Sequence, residues 1–222
     1  MEDFQFFFVD AASASQIIGN IDEVDIFGVE LEMQAVVTEG LQVFASLGTT
    51  DSDIEKITVF PGNEGNHTPR TTEWTLNAGF QYRAALGNGL AGMVRVDYEH
   101  RGDKHWQVDN LDVQDPLDFV HARIGIEGES WSLTVWGKNL TDEEYYADYN
   151  PMKFSGLPFD IGWRAQPRTV GIEGRVNFCH PVGQNYLDKK LRRKSEPQRF
   201  ERSRVGLPCD ATDLLLVCWD CR

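Results

Sequence analysis

Alternation of apolar and polar residues with a period of two is the feature that most limits what this chain can fold into. Successive side chains on a β-strand point to opposite faces, so a strand covered on one face alternates in this way. Val29, Leu31, Met33, Ala35 and Val37 are interleaved with Glu30, Glu32 and Gln34, and Leu41, Val43, Ala45 and Leu47 follow the turn at Glu39-Gly40. Trp74, Leu76, Ala78, Phe80 and Tyr82 are set against Thr75, Asn77, Gln81 and Arg83. Val94, Val96 and Tyr98 stand against Arg95, Asp97 and Glu99, and Ala122, Ile124 and Ile126 against Arg123 and Glu127. Trp131, Leu133 and Val135 oppose Ser132, Thr134 and Lys138; Val170, Ile172, Val176 and Phe178 oppose Thr169, Glu173, Arg175 and Asn177. With the aromatic stretch Phe4–Val9 this makes about eight strands. No helical periodicity of similar length appears before residue 179, so the fold class is all-β.

The connections narrow the choice further. Short turns fall near Thr38–Gly40, Ala85–Gly89 and Glu127–Ser130, with the Gly and Asn residues that tight hairpins need. Between them lie longer polar links at 10–21, 51–70, 102–116 and 141–166. Strict alternation of short and long connections is the habit of antiparallel transmembrane barrels. A soluble sandwich shares the alternating strands but has no physical reason to gather its long loops at one end. One face of nearly every strand is apolar, while the other carries full charges such as Glu32, Arg95, Asp97, Arg123 and Glu173. In a barrel the apolar face meets lipid and the charged face meets the lumen. Tyr82, Trp131 and Phe178 would then form one interfacial belt, and Trp74 and Tyr98 the other. No run approaches the roughly 20 apolar residues of a membrane helix, but this does not bear on membrane strands.

Charge divides the chain. Residues 1–178 hold 12 Lys/Arg against 29 Asp/Glu, whereas 179–222 hold 9 against 6. The body is therefore acidic, which excludes the basic face expected of a nucleic-acid binder. All four cysteines (Cys179, Cys209, Cys218, Cys221) come after the boundary. The expected organisation is a barrel segment over 1–178 and an irregular tail over 179–222. The tail contains the basic run KKLRRKSEPQRFERSR and one isolated C-x-x-C, with no second ligand pair to make a metal site. The opening MEDFQFFFVD lacks the basic and apolar regions of a signal peptide.

Several stretches carry a family resemblance. ARIGIEGESWSLTVWGKNLTDEEYY (122–146) resembles the penultimate hairpin of TonB-dependent outer-membrane receptors, whose strand ends in a W-G-K-N-L-T-D-E-x-Y signature. QPRTVGIEGRVNF (166–178) resembles that family's last strand, running from a Pro-Arg to a terminal aromatic. NIDEVDIFGVELE (20–32) and TPRTTEWTLNAGFQYR (68–83) resemble upstream strands. The resemblance implies the last eight or so strands of a barrel of about 22, in the outer membrane of a Gram-negative bacterium. It further implies a role in TonB-energised uptake of a nutrient such as a ferric siderophore. Implied partners are outer-membrane lipid, the nutrient ligand, the barrel-assembly machinery reading Phe178, and the TonB complex through an N-terminal region that this sequence does not contain.

Under that reading, ligand contacts would come from the long loops and the outer rim, with His67, Arg70, His105, Trp106 and Arg164 as the candidates. No cofactor is implied. The carboxylates Asp109, Asp112, Asp115 and Asp118, or Asp142, Glu143 and Glu144, could suggest glycoside hydrolysis, but no nucleophile motif accompanies them. The histidines show no metal-ligand spacing along the chain. The chain is thus expected not to be an enzyme. A self-contained eight-stranded barrel with a structural or adhesive role is the competing reading. Eight strands of a larger barrel leave two unpaired edges and a wide apolar face, so the isolated chain is expected to be insoluble or degraded.

Overall fold

The computed structural model describes residues 1–10, 13, 15–178 and the strand 212–219. Each of the eight alternating segments forms a strand. They are β1 (Glu2–Asp10), β2 (Ser15–Thr38), β3 (Leu41–Lys56), β4 (Trp74–Gly87), β5 (Leu90–Arg101), β8 (Leu117–Glu127), β9 (Trp131–Lys138) and β12 (Thr169–Phe178). The long loops add two small hairpins, β6 (Lys104–His105) with β7 (Val113–Gln114), and β10 (Tyr146–Asn150) with β11 (Ile161–Arg164). A further strand, β13 (Thr212–Trp219), pairs with β12. The main sheet is antiparallel and follows chain order, β1-β2-β3-β4-β5-β8-β9-β12-β13. It is an open wall with β1 and β13 at its edges. No α-helix occurs among the described residues, only the 3-10 turn Met152–Ser155.

Three expectations need revision. The link placed at 10–21 is short, because β1 and β2 pair from Asp10↔Ser15 through Phe4↔Ile21 to Glu2↔Glu23. A register shift between Glu23 and Val24 hides this from a period-two reading. It turns Ile21 and Val24, three residues apart, toward one buried cluster, as a bulge does. The links 51–70 and 141–166 are also partly strand, since β3 continues to Lys56 and the second is folded around β10 and β11. Lastly, the tail expected to be irregular contributes β13, while residues 179–211 and 220–222 lie outside the described residues, and with them Cys179, Cys209 and Cys221.

The strand faces follow the alternation. Val29, Leu31, Met33, Ile124, Leu133, Val135, Val170 and Ile172 are all exposed. An apolar face left open along successive strands is what a lipid-facing wall presents. On the other face Arg95, Asp97, Glu99, Arg123 and Glu173 line one hollow of about 630 Å³. Arg95 bonds Asp97 at 2.6 Å, Arg101 bonds Glu99 at 2.6 Å, and Arg83 pairs with Glu127. Trp136 occupies the same face, and its ring fills the place of a side chain at Gly171, where an added Cβ would lie 2.4 Å from it. At the short-turn end, Asn88 and Gly89 both have positive φ, matching the Asn-Gly turn whose twist suits a two-residue hairpin.

The buried core lies at the opposite, long-loop end. Phe6, Ile21, Val24, Ile54, Ile57 and Val108 form one cluster, with Phe4, Phe8 and Phe60 packed against it. Each fully buried aliphatic side chain there contributes roughly 1.5–3 kcal/mol. Strands β1 to β3 thus extend past the sheet proper to give the loops something to pack on. Aromatic residues mark both ends. Trp131 opens β9 beside the short turn, and Phe178 closes β12 where Asn177 N–H bonds the Ser130 carbonyl. Trp74 opens β4 at the loop end and stacks on His100 at 4.0 Å.

Candidate ligand-binding site at the loop end

The loop after β3 is tied down by backbone pairing before any side chain acts. Ile54 N–H bonds the Asn66 carbonyl and Gly65 N–H bonds the Ile54 carbonyl, which lays 65–67 alongside the top of β3. The loop between β5 and β8 then docks on it. Asn66 Nδ2 donates to the Val108 carbonyl at 2.8 Å, and Asn110 Oδ1 accepts from His67 N–H at 2.7 Å. Arg70 N–H bonds the His105 carbonyl at 2.6 Å. Buried Val108 anchors this loop in the core cluster.

Four of the five residues singled out in the sequence meet here. The His67 and His105 rings stack with centroids 5.4 Å apart. Arg70 lies 5.7 Å from the Trp106 ring and 3.9 Å from the Phe7 ring. Trp106 itself is only 3 % exposed, so it serves as a platform and presents little surface to a ligand. The Lys104 ammonium sits 3.9 Å above the same indole. Burial, then the charges of Arg70 and Arg101, hold that ammonium below the ordinary lysine range. Such cation–ring contacts are worth about 0.5–2 kcal/mol, the more so when desolvated.

Arg70 also joins the third long loop. Its guanidinium donates to Asp148 Oδ1 at 2.6 Å and to Asn150 Oδ1 at 3.3 Å, both on β10. Tyr149 between them lies 5.8 Å from the Trp106 ring. Its phenol is pushed up to about 12 by burial first, then by its bond to Asp160 and the neighbouring carboxylates. Arg164 does not join the cluster. It is largely exposed on β11, 3.5 Å from Glu144, beside a separate hollow of about 300 Å³ shared with Tyr145 and Pro167.

Lys104, Asp148 and Tyr149 were not among the sequence candidates. Only folding brings their separate loops together, and the visible signal was no more than polar and aromatic residues in long links. The site holds cations over aromatic rings, inside loops that are otherwise acidic. Among the described residues it presents no nucleophile paired with a base.

Comparison with known proteins agrees with this architecture. A family model described as TonB dependent receptor-like, beta-barrel, matches residues 2–140. Among solved structures, the ferric yersiniabactin uptake receptor FyuA from Yersinia pestis superimposes with a TM-score of 0.62 at 20% identity, over 70% of this chain and 24% of that one. BauA, the ferric preacinetobactin receptor from Acinetobacter baumannii, gives 0.57 at 12% identity, over 77% of this chain and 25% of that one. The chain therefore spans about a quarter of the length of these receptors. Proteins of this family are outer-membrane receptors of Gram-negative bacteria and are not enzymes. On its sheet, its loops and the family match, the chain belongs to the TonB-dependent receptor-like β-barrel family.

Proposed function

We propose that this chain supplies part of the wall and outer loops of an outer-membrane receptor for TonB-energised uptake of a nutrient such as a ferric siderophore. The observation that carries this reading is the convergence of three long loops on Arg70 at one end of an open, apolar-faced wall. Arg70 and Lys104, spread over Trp106 and Phe7, offer positive charge to an anionic chelate. His67 and His105 would contact the ligand from the adjoining loop edges, and Arg164 from the neighbouring hollow. The remaining partners in this reading are outer-membrane lipid, the barrel-assembly machinery at Phe178 and TonB through regions beyond this sequence. Residues 179–222 are read as a separate segment outside the receptor-like part. The open sheet weighs against a self-contained eight-stranded barrel.

The test is binding and uptake of ferric siderophores by the receptor that contains this chain. Arg70→Ala and Trp106→Ala together are expected to weaken binding of the accepted siderophore by about tenfold or more, because removing a guanidinium from a desolvated charged contact costs about 1.5–3 kcal/mol. Unchanged binding and uptake with all five candidates replaced by alanine would remove the site assignment.

A further inference from the structure

Two of the five histidines lie far apart in sequence yet meet a carboxylate in the loops. His67, Glu73 and His105 each offer a ligand atom, and the three atoms lie within 4.8 Å of one another. His67 Nε2 stands 3.7 Å from Glu73 Oε1. A tetrahedral zinc ion with bonds of about 2.0–2.1 Å holds its ligand atoms ~3.4 Å apart, so this pair needs little movement.

The ring chemistry agrees. His67 Nδ1 is 3.1 Å from the Ser52 carbonyl. A carbonyl can only accept, so Nδ1 is the donor in this contact, and Nε2 is the ring nitrogen turned toward Glu73. Ligating histidines are commonly oriented this way, with the second ring nitrogen donating to a carbonyl or carboxylate. His105 Nδ1 is buried and has no hydrogen-bond partner among the described residues. An orphaned buried polar atom is costly unless something satisfies it. Each ligand is held independently of an ion: His67 by Asn110 and Ser52, His105 through the bond its carbonyl accepts from Arg70, and Glu73 through its backbone bond to the Asp103 carbonyl.

From this juxtaposition we infer that His67, Glu73 and His105 form a divalent transition-metal site of the zinc class, stapling the loop after β3 to the β6–β7 hairpin. Two imidazoles and a carboxylate are a ligand set that zinc accepts, with a fourth position left for water. The site concerns an ion resident in the loops and is independent of which nutrient is bound. Asp51 and Asp53 also approach His67 and make a rival set. That set is more exposed and does not include the second imidazole.

Cobalt(II) titration of the full chain in detergent distinguishes these, read by visible absorption and followed by zinc competition. One equivalent of cobalt is expected to give the intense bands of a tetrahedral site, and zinc to abolish them. His105→Ala and Glu73→Gln should weaken cobalt binding by about tenfold or more, while Asp51→Asn with Asp53→Asn leaves it unchanged. Zinc should also protect residues 57–73 of the unsubstituted chain from proteolysis, a reading that needs no variant to fold. No tetrahedral bands, bands indifferent to His105→Ala, or bands lost with the two aspartates would overturn the assignment, as would unaltered proteolysis with zinc bound.

Discussion

Arg70 lies over Phe7 of β1, reaches both Asp148 and Asn150 with its guanidinium fork, and donates its backbone N–H to the His105 carbonyl. One residue therefore connects four separated segments. Beside it, the Tyr149 phenol makes a titration prediction. Its pKa is raised to about 12 from an ordinary 10.0, chiefly by burial and then by Asp160. A raised value means that the folded state holds this proton more tightly than the unfolded one. The stability contributed by the neutral phenol is therefore complete below about pH 10 and is lost as pH rises toward 12. Protease resistance of the β10–β11 hairpin is expected to fall across that window in the unsubstituted chain and to fall less in Tyr149→Phe. Identical curves would show that the phenol does not couple to the hairpin. Asp160 is affected in the opposite sense: burial raises it, but bonds from Tyr149 and from Lys153 N–H outweigh this and leave it lowered.

At the scale of the element, parity decides what a residue does. Val135 pairs with Ile124 on one side and Ile172 on the other and is exposed on the apolar face. Thr134, one position away, faces the charged side and is opposite Glu173. Arginine at a lipid-facing midplane position costs about 2–4 kcal/mol, whereas the inner face tolerates it. In the receptor that contains this chain, Val135→Arg is thus expected to lower barrel stability in a bilayer by about that amount, and Thr134→Arg to change it little because Glu173 can pair with it. Equal effects in urea titrations of the two variants would contradict the assignment of faces. The alternation that makes this prediction possible was legible wherever strands run without a bulge. It failed in β2, where the shift at Glu23/Val24 breaks parity, and the start of that strand, 15–21, read as a loop.

For the whole molecule, the governing fact is an open sheet with an apolar face. The β2 edge beyond Val24 has no strand partner on the β1 side among the described residues, because β1 pairs only up to Glu23. Within lipid each unsatisfied backbone group costs several kcal/mol, and in water such edges recruit other chains. The full chain expressed alone is therefore expected to stay in the pellet without detergent and to associate through its edges when detergent is present. A monodisperse monomer in plain buffer by light scattering would contradict this. The outward row from Val29 to Ile172 would then need some cover other than lipid.

The sequence by itself determined the local grammar: eight strands, their faces, the short turns such as Asn88-Gly89, and the family signature around Trp136–Tyr146. These depend on neighbours one to four residues apart, and a chain displays such relations directly. The tertiary structure decided the rest. It brought His67, Arg70, His105 and Trp106 together and left Arg164 aside. It also recruited Lys104, Asp148 and Tyr149, and set Glu73 beside two histidines that sequence spacing kept apart. Such contacts depend on how three loops close over the Phe6, Ile21 and Val108 cluster. Loop closure brings together residues from distant parts of the chain without leaving a periodic trace, so this loop cluster became visible only when folded.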